Sequence, residues 1–205
     1  MSRRDYDEKC SLLIIGDTLV GKTSFLSRYA KNIFNLTYLA TAGMEFFSKD
    51  EKINNRIIRV ELWDSSGSEK FQSITSGFFN NAQGIMVMFD VTNITSYNNV
   101  VNWIESIKTH LNKEIHNIPV IIIGNKIDIK EREIKTEDAK EYCQGLRFKY
   151  FETSAKTGEN VESTIKYIVK EVLKKKNNPE KKTKEEKPLP PKHQKEEDYC
   201  SCIIV

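Results

Sequence analysis

No apolar run in this 205-residue chain approaches the roughly 20 residues a membrane-spanning helix needs, so no span is expected. Cysteine is scarce. Cys10 and Cys143 sit inside hydrophobic patterns, and Cys200 and Cys202 crowd the terminus. Neither a disulfide framework nor a zinc spacing can be built from these four, and a reducing compartment is expected. The first nine residues are polar with no long apolar run behind them, so no secretory signal is expected. Ser2 stands where the N-myristoylation pattern requires glycine. A large excess of one charge is also missing. The net charge is +3, and residues 174–198 alone hold nine Lys against six acids, which leaves the body near neutral. Nucleic acid is therefore excluded as the expected partner. Internal repeats are absent too.

What is present is strand–helix alternation. Residues 12–15 read as a buried strand and 21–29 as a helix. Two β-like runs, 45–49 and 57–63, flank Asn54-Asn55, a hairpin-turn pair. Residues 85–89 and 120–123 are continuous apolar runs, as strands buried on both faces require. Val100, Trp103, Ile104, Ile107 and Leu111 fall at helical spacing. Residues 150–153 form a last short strand, and Val161, Ile165, Ile168, Val169 and Val172 mark a closing amphipathic helix. The pattern predicts an α/β sandwich with a mostly parallel sheet. Ligands in such folds bind outside the carboxyl ends of the strands. One domain is expected over residues 9–175, after an extension at 1–8. In the tail, 176–205, composition shifts to Lys, Glu and Pro, and Pro188-Leu189-Pro190-Pro191 favours extended chain, a disordered linker.

The chemistry sits in four motifs. Gly16, Asp17, Thr18, Leu19, Val20, Gly21, Lys22 and Thr23, followed by Ser24, fit G-x-x-x-x-G-K-[ST] between a strand and a helix. In such a loop, main-chain amides and a helix N-terminus converge on phosphate oxygens. Lys22 adds positive charge near the β and γ phosphates, and the Thr23 hydroxyl can ligate Mg²⁺. A chance match to the four fixed positions should occur in roughly one chain per hundred of this length. Asp64-Ser65-Ser66-Gly67 follows a strand, so Asp64 can hold Mg²⁺ through water and the Gly67 amide can reach the γ-phosphate. Asn125-Lys126-Ile127-Asp128 follows another. A carboxylate at Asp128 can accept from both N1–H and the exocyclic amine of guanine, whereas adenine would present an unpaired acceptor. Glu152-Thr153-Ser154-Ala155-Lys156 ends the last strand, where the Ala155 amide can bond guanine O6 and Lys156 can pack along the base. The plain alternative for residues 64–67 and for residues 125–128 is a polar turn after a strand.

These motifs, in this order and spacing, resemble the Ras superfamily of small GTPases over about residues 9–173. Within it the chain is most similar to the Rab branch. Thr41-Ala-Gly-Met-Glu-Phe46 resembles the first-switch pattern T-I-G-V-D-F, and Trp63-Asp-Ser-Ser-Gly-Ser-Glu69 resembles W-D-T-A-G-Q-E. Residues 70–79 resemble R-F-R-T-I-T-S-S-Y-Y. The resemblance implies a P-loop NTPase fold, a three-layer sandwich with a six-stranded sheet and five helices. It implies a switch in membrane traffic that hydrolyses bound GTP to GDP with Mg²⁺. It assigns Thr41 to Mg²⁺ and the γ-phosphate, Phe34 to the guanine edge, and catalysis to Lys22, Thr41, Gly67 and position 68. Ala42, Gly43, Met44, Glu45, Phe46, Trp63 and Phe78 would form the surface that effectors read. Further partners implied are an exchange factor, a GTPase-activating protein, a GDP-dissociation inhibitor and an escort protein, acting on a monomer.

The chain departs from the family in three places. Ser68 replaces the Gln that orients the attacking water, and its shorter side chain predicts slow hydrolysis. Thr18 and Leu19 are bulkier than the small residues usual there, and Ala42 replaces Ile in the first switch. A non-catalytic, GTP-locked scaffold that recruits effectors is the alternative reading. The terminus Cys202-Ile-Ile-Val205 fits C-a-a-X for prenylation, and Cys200 offers a second lipid site. One lipid binds membranes only marginally, so two are expected to matter. The expected location is the cytoplasmic face of an endomembrane or the plasma membrane, with a cytosolic pool.

Overall fold

In a computed structural model the described residues are 5–35, 44–65, 79–111 and 115–177, the side chain of His116 excepted. Six strands form one sheet: β1 (Glu8–Ile15), β2 (Met44–Ile53), β3 (Arg56–Ser65), β4 (Gly84–Asp90), β5 (Val120–Asn125) and β6 (Lys149–Thr153). Their order is β2-β3-β1-β4-β5-β6. Every neighbouring pair is parallel except β2 with β3. That exception is the expected hairpin. Ile53 pairs with Arg56, leaving a two-residue loop in which Asn54 (φ 50°) and Asn55 (φ 61°) are both left-handed. This is the turn whose twist matches the flanking strands, and asparagine tolerates it well.

Alternation along β1 builds the three layers. Leu12 and Ile14 point to one face of the sheet, Leu13 and Ile15 to the other, and all four are fully buried. The first face is covered by α1 (Lys22–Lys31) and α5 (Val161–Asn177), through Phe25, Leu26, Ile165, Ile168 and Val169. The second is covered by α3 (Val100–His110) and α4 (Thr136–Gly145), through Trp103, Ile104, Ile107, Ala139 and Cys143. Covered on both sides, β4 and β5 are buried at every residue, which explains their unbroken apolar runs. Each of their large aliphatic side chains contributes roughly 1.5–3 kcal/mol of transfer free energy. The remaining helix, α2 (Ile94–Asn98), is one short turn joined to α3 at Asn99. Asn93 caps it by accepting from the Ser96 amide at 2.9 Å.

The sequence reading had no helix over Thr136–Gly145. The buried stripe of α4 is just Ala139 and Cys143, one turn apart and both small. Such a stripe is too thin to stand out as a helical period. At the opposite end of the sheet from the motifs, Lys176 of α5 reaches Glu8 (2.9 Å) and the Lys9 carbonyl (2.9 Å), and Arg56 also pairs with Glu8 at 2.8 Å. Among the described residues no helix is long and apolar enough to cross a membrane.

Because β1, β3, β5 and β6 run in one direction, Gly16, Asp64, Asn125 and Ser154 all emerge at one edge of the sheet. The expected ligand position is thus a consequence of the parallel topology.

Candidate nucleotide site

Two glycines let the loop after β1 lie against its neighbours. A Cβ on Gly16 (φ 143°) would sit 2.1 Å from the Met88 carbonyl oxygen, and one on Gly21 (φ 97°) would meet Asn125 Nδ2 at 2.5 Å. Between them Leu19 takes φ 69° and is 59% exposed. A non-glycine residue there carries about 1 kcal/mol or more of backbone strain. Curled, left-handed backbone of this kind turns main-chain N–H groups toward an anion. The loop then enters α1, whose first turn has no side-chain cap and no acidic residue. Its N-terminal amides and dipole therefore favour phosphate.

Lys22 is 6% exposed. Its ammonium donates to the carbonyls of Gly16 and Asp17, both at 2.8 Å, and so closes the loop on itself. Burial pushes its pKa down to about 8, while the carboxylates of Asp64 and Asp17 pull the other way. Asp17 in turn fastens the loop to the helices. It accepts from Trp103 Nε1 (2.7 Å) and from Asn99 Nδ2 (2.7 Å). Trp103 was legible in the sequence as a core residue. That its indole N–H would end on the phosphate loop was not, since a buried indole needs some partner but its identity is set by packing.

Thr23 Oγ1 donates to Asp64 Oδ2 at 2.5 Å, and Asp64, at the end of β3, is fully buried. Hydroxyl and carboxylate oxygens are the donor set that Mg²⁺ prefers, and this ion ordinarily shares its shell with phosphate and water. The pair fits such an ion. No group of three or more His, Cys, Asp or Glu among the described residues could hold a metal unaided.

Asn125 joins the loops. It is 1% exposed, and its Nδ2 donates to the Val20 carbonyl at 2.9 Å. Its Oδ1 accepts from Thr153 Oγ1 and from the Ala155 amide, both at 3.2 Å. The phosphate loop and the loop after β6 thereby become one hydrogen-bonded unit. The Ala155 amide, expected to serve guanine O6, is thus already engaged by a long bond within the protein. Lys126 (φ 71°) pairs with Asp90 at 2.6 Å, and Asp90 also accepts from the Thr92 amide and hydroxyl. Asp128 Oδ1 accepts from Ser154 Oγ at 2.6 Å, and its Oδ2 lies 3.7 Å from Lys156 Nζ.

The other expected residues are scattered more widely. Phe34 is half-buried against the core beneath α1. Thr18 is exposed and Ser24 half-buried. Phe46 and Trp63 are cross-strand partners with ring centroids 4.8 Å apart, tilted by 54°. Phe46 and Glu45 are exposed, while Trp63 and Met44 lean on the core. Thr41, Ala42, Gly43, Gly67, Ser68, Phe78, Cys200 and Cys202 lie outside the described residues. Residues absent from the sequence reading of the site are Asp90, Asn99, Trp103 and Arg28, each polar or amphipathic and each acting through another residue.

Comparison with known proteins shows the family. The Ras family model matches residues 11–174. Rab-3C of Bos taurus is 40% identical over 169 residues, covering 82% of this chain and 73% of that protein. Rab-27B of Bos taurus is 36% identical over 185 residues, 85% of this chain and 84% of its own. Rab-11B of Dictyostelium discoideum is 36% identical over 162 residues, 78% and 72%. The site combines an uncapped helix after a glycine-bounded loop, a Thr23–Asp64 hydrogen bond and an asparagine staple, and the family match with these relatives places the chain in the Ras family, among its Rab-type small GTPases.

Proposed function

We propose that the chain is a GTP/GDP-operated switch in membrane traffic that hydrolyses GTP to GDP and phosphate more slowly than its relatives. The observation that carries the nucleotide reading is the Asn125 staple, which holds a phosphate loop and a base-reading loop in fixed relation. Lys22 and the amides of the loop and of α1 bind the phosphates. Thr23 and, through water, Asp64 would hold Mg²⁺, which would neutralise charge on the phosphate oxygens. Asp128, oriented by Ser154, selects guanine. Asn125 and Lys126 shape the pocket from behind.

Thr41 and Gly67 would each gain a γ-phosphate contact with GTP and lose it on hydrolysis, so that partners sense the order of both loops. The exposed Phe46, packed against the half-buried Trp63, supports an effector-reading surface on the hairpin. An exchange factor, an activating protein, a GDP-dissociation inhibitor and an escort protein complete the expected partners. The tail would carry lipid on Cys202 and Cys200 and hold the protein at the cytoplasmic face of an endomembrane or the plasma membrane. Intact-mass spectrometry of the protein from cells should show added prenyl mass, and an unmodified Cys202 would remove the anchor from this reading.

Slow turnover rests on Ser68. A serine hydroxyl is shorter than the glutamine amide and positions the attacking water less well. In single-turnover assays Ser68→Gln should hydrolyse GTP at least about tenfold faster than wild type, the scale of one lost positioning contact. Wild type and variant should both bind GTP and GDP, and neither should retain ATP. Equal rates would defeat the slow-switch reading. Absence of hydrolysis in both, even with an activator, would favour the GTP-locked scaffold.

A further inference from the structure

The guanidinium of Arg28 ties two parts of the site that the motifs leave separate. It lies on α1, on no motif, and makes four donations. Nε donates to the Ala155 carbonyl at 3.0 Å and Nη2 to the Lys156 carbonyl at 2.7 Å. Nη1 donates to Asn32 twice, to its carbonyl at 3.1 Å and to its Oδ1 at 3.0 Å. Asn32 is the left-handed residue (φ 55°) that ends α1, and the chain passes from it through Phe34 toward the first switch. Gly158 (φ 87°) packs beside the arm, where a Cβ would make only an ordinary contact 3.6 Å from Arg28 Cδ.

The two carbonyls matter because a peptide unit is planar and trans. Holding the Lys156 carbonyl on the Arg28 side turns the N–H of the same peptide, that of Thr157, the opposite way. That N–H donates to Ser154 Oγ at 3.1 Å. Ser154 Oγ then donates its own proton to Asp128 Oδ1 at 2.6 Å. Each link leaves the next with one role. The serine oxygen accepts from the amide, so its proton goes to the carboxylate. Bonds in such a chain polarise one another.

We infer that Arg28 is a positioning residue for base selection, acting through Lys156, Thr157 and Ser154 to orient Asp128. The inference rests on the guanine reading proposed above. A lysine cannot replace it, because its point charge lacks the planar fork that meets two successive carbonyls at once.

The test compares release of GDP with release of IDP, whose hypoxanthine lacks the exocyclic amine that a well-placed Asp128 accepts from. In Arg28→Ala, GDP release should quicken by about tenfold, one charge-assisted hydrogen bond's worth, while IDP release changes less. The GDP-over-IDP preference therefore shrinks. Arg28→Lys keeps the charge and the side-chain stem, so it should restore thermal stability without restoring the preference. Ser154→Ala cuts the same relay and should reduce the preference alike, and the double variant should lose no more than Ser154→Ala alone. A merely structural arginine would speed both releases equally and leave the preference intact, which overturns the inference. Additive losses in the double variant overturn it as well. If wild type shows no preference for GDP over ADP, the guanine reading fails instead.

Discussion

Lys22→Met is expected to weaken GDP and GTP binding by about 10³-fold, because each charge-assisted bond to a buried partner contributes roughly 1.5–3 kcal/mol and more than one is lost. The side chain serves the ligand and the loop together. Two of its three ammonium protons go to the carbonyls of Gly16 and Asp17, and its charge is what draws phosphate to the place where those carbonyls converge. Methionine keeps the stem that fills the space and removes the charge. Folding without nucleotide should survive, since the variant also removes the cost of burying an ammonium that is 6% exposed. Fluorescence titration with a labelled GDP, beside thermal unfolding of the nucleotide-free protein, separates the two effects. Affinity within tenfold of wild type would mean that Lys22 is a loop tie and not a phosphate ligand.

The same residue predicts a pH dependence. Burial depresses the Lys22 pKa to about 8 in the folded protein, below the usual lysine value of 10.5. From pH 8 to 10.5 the unfolded chain therefore binds more protons at this group than the folded one. The destabilisation from the buried charge is full below pH 8 and is relieved as pH rises through that window. Ligand affinity moves the other way. Bound phosphates restore the proton, so GDP binding should weaken above pH 8 by up to about tenfold per unit. In Lys22→Met this slope should vanish.

Asp128→Asn should exchange guanine for xanthine. The wild-type carboxylate offers two acceptors, one for N1–H and one for the amine at C2. Xanthine carries N1–H but an oxygen at C2, which needs a donor. Ser154 determines how the asparagine sits. Its proton is directed at Oδ1, because its oxygen already accepts from the Thr157 amide. The amide oxygen must take that place, and the NH₂ must take the place of Oδ2. GDP affinity should fall by about 10²–10³-fold and XDP affinity should rise, since losing a charge-assisted bond and leaving the amine facing a donor together cost about 3–4 kcal/mol. Competition of GDP, XDP and ADP for the same loaded protein reads this directly. An asparagine variant that still prefers GDP over XDP would show that the base is read elsewhere.

How much of this was legible beforehand differs between residues. The phosphate loop was, because its chemistry depends on glycine, lysine and a hydroxyl at fixed spacing within one turn. The hairpin was, because two asparagines in a row satisfy a local turn. The α4 helix was not, since Ala139 and Cys143 bury too little to mark a period. The bond from the Ala155 amide to Asn125 was not either, because 30 residues of chain separate the partners. Nor were the ties of Asp17 to Asn99 and Trp103, or of Arg28 to the loop after β6.

By itself the sequence determined what is local: the strand and helix periods, the turn chemistry, and which residue types stand after each strand. Short-range sterics and hydrogen-bonding capacity suffice for those. Tertiary structure decided which of those strand ends meet, in the order β2-β3-β1-β4-β5-β6, and therefore that Asn125 grips the phosphate loop and Arg28 grips the base loop. Contacts across 105 or 127 residues of chain exist only once the sheet has closed, because the burial that aligns them belongs to the whole core and to no single segment.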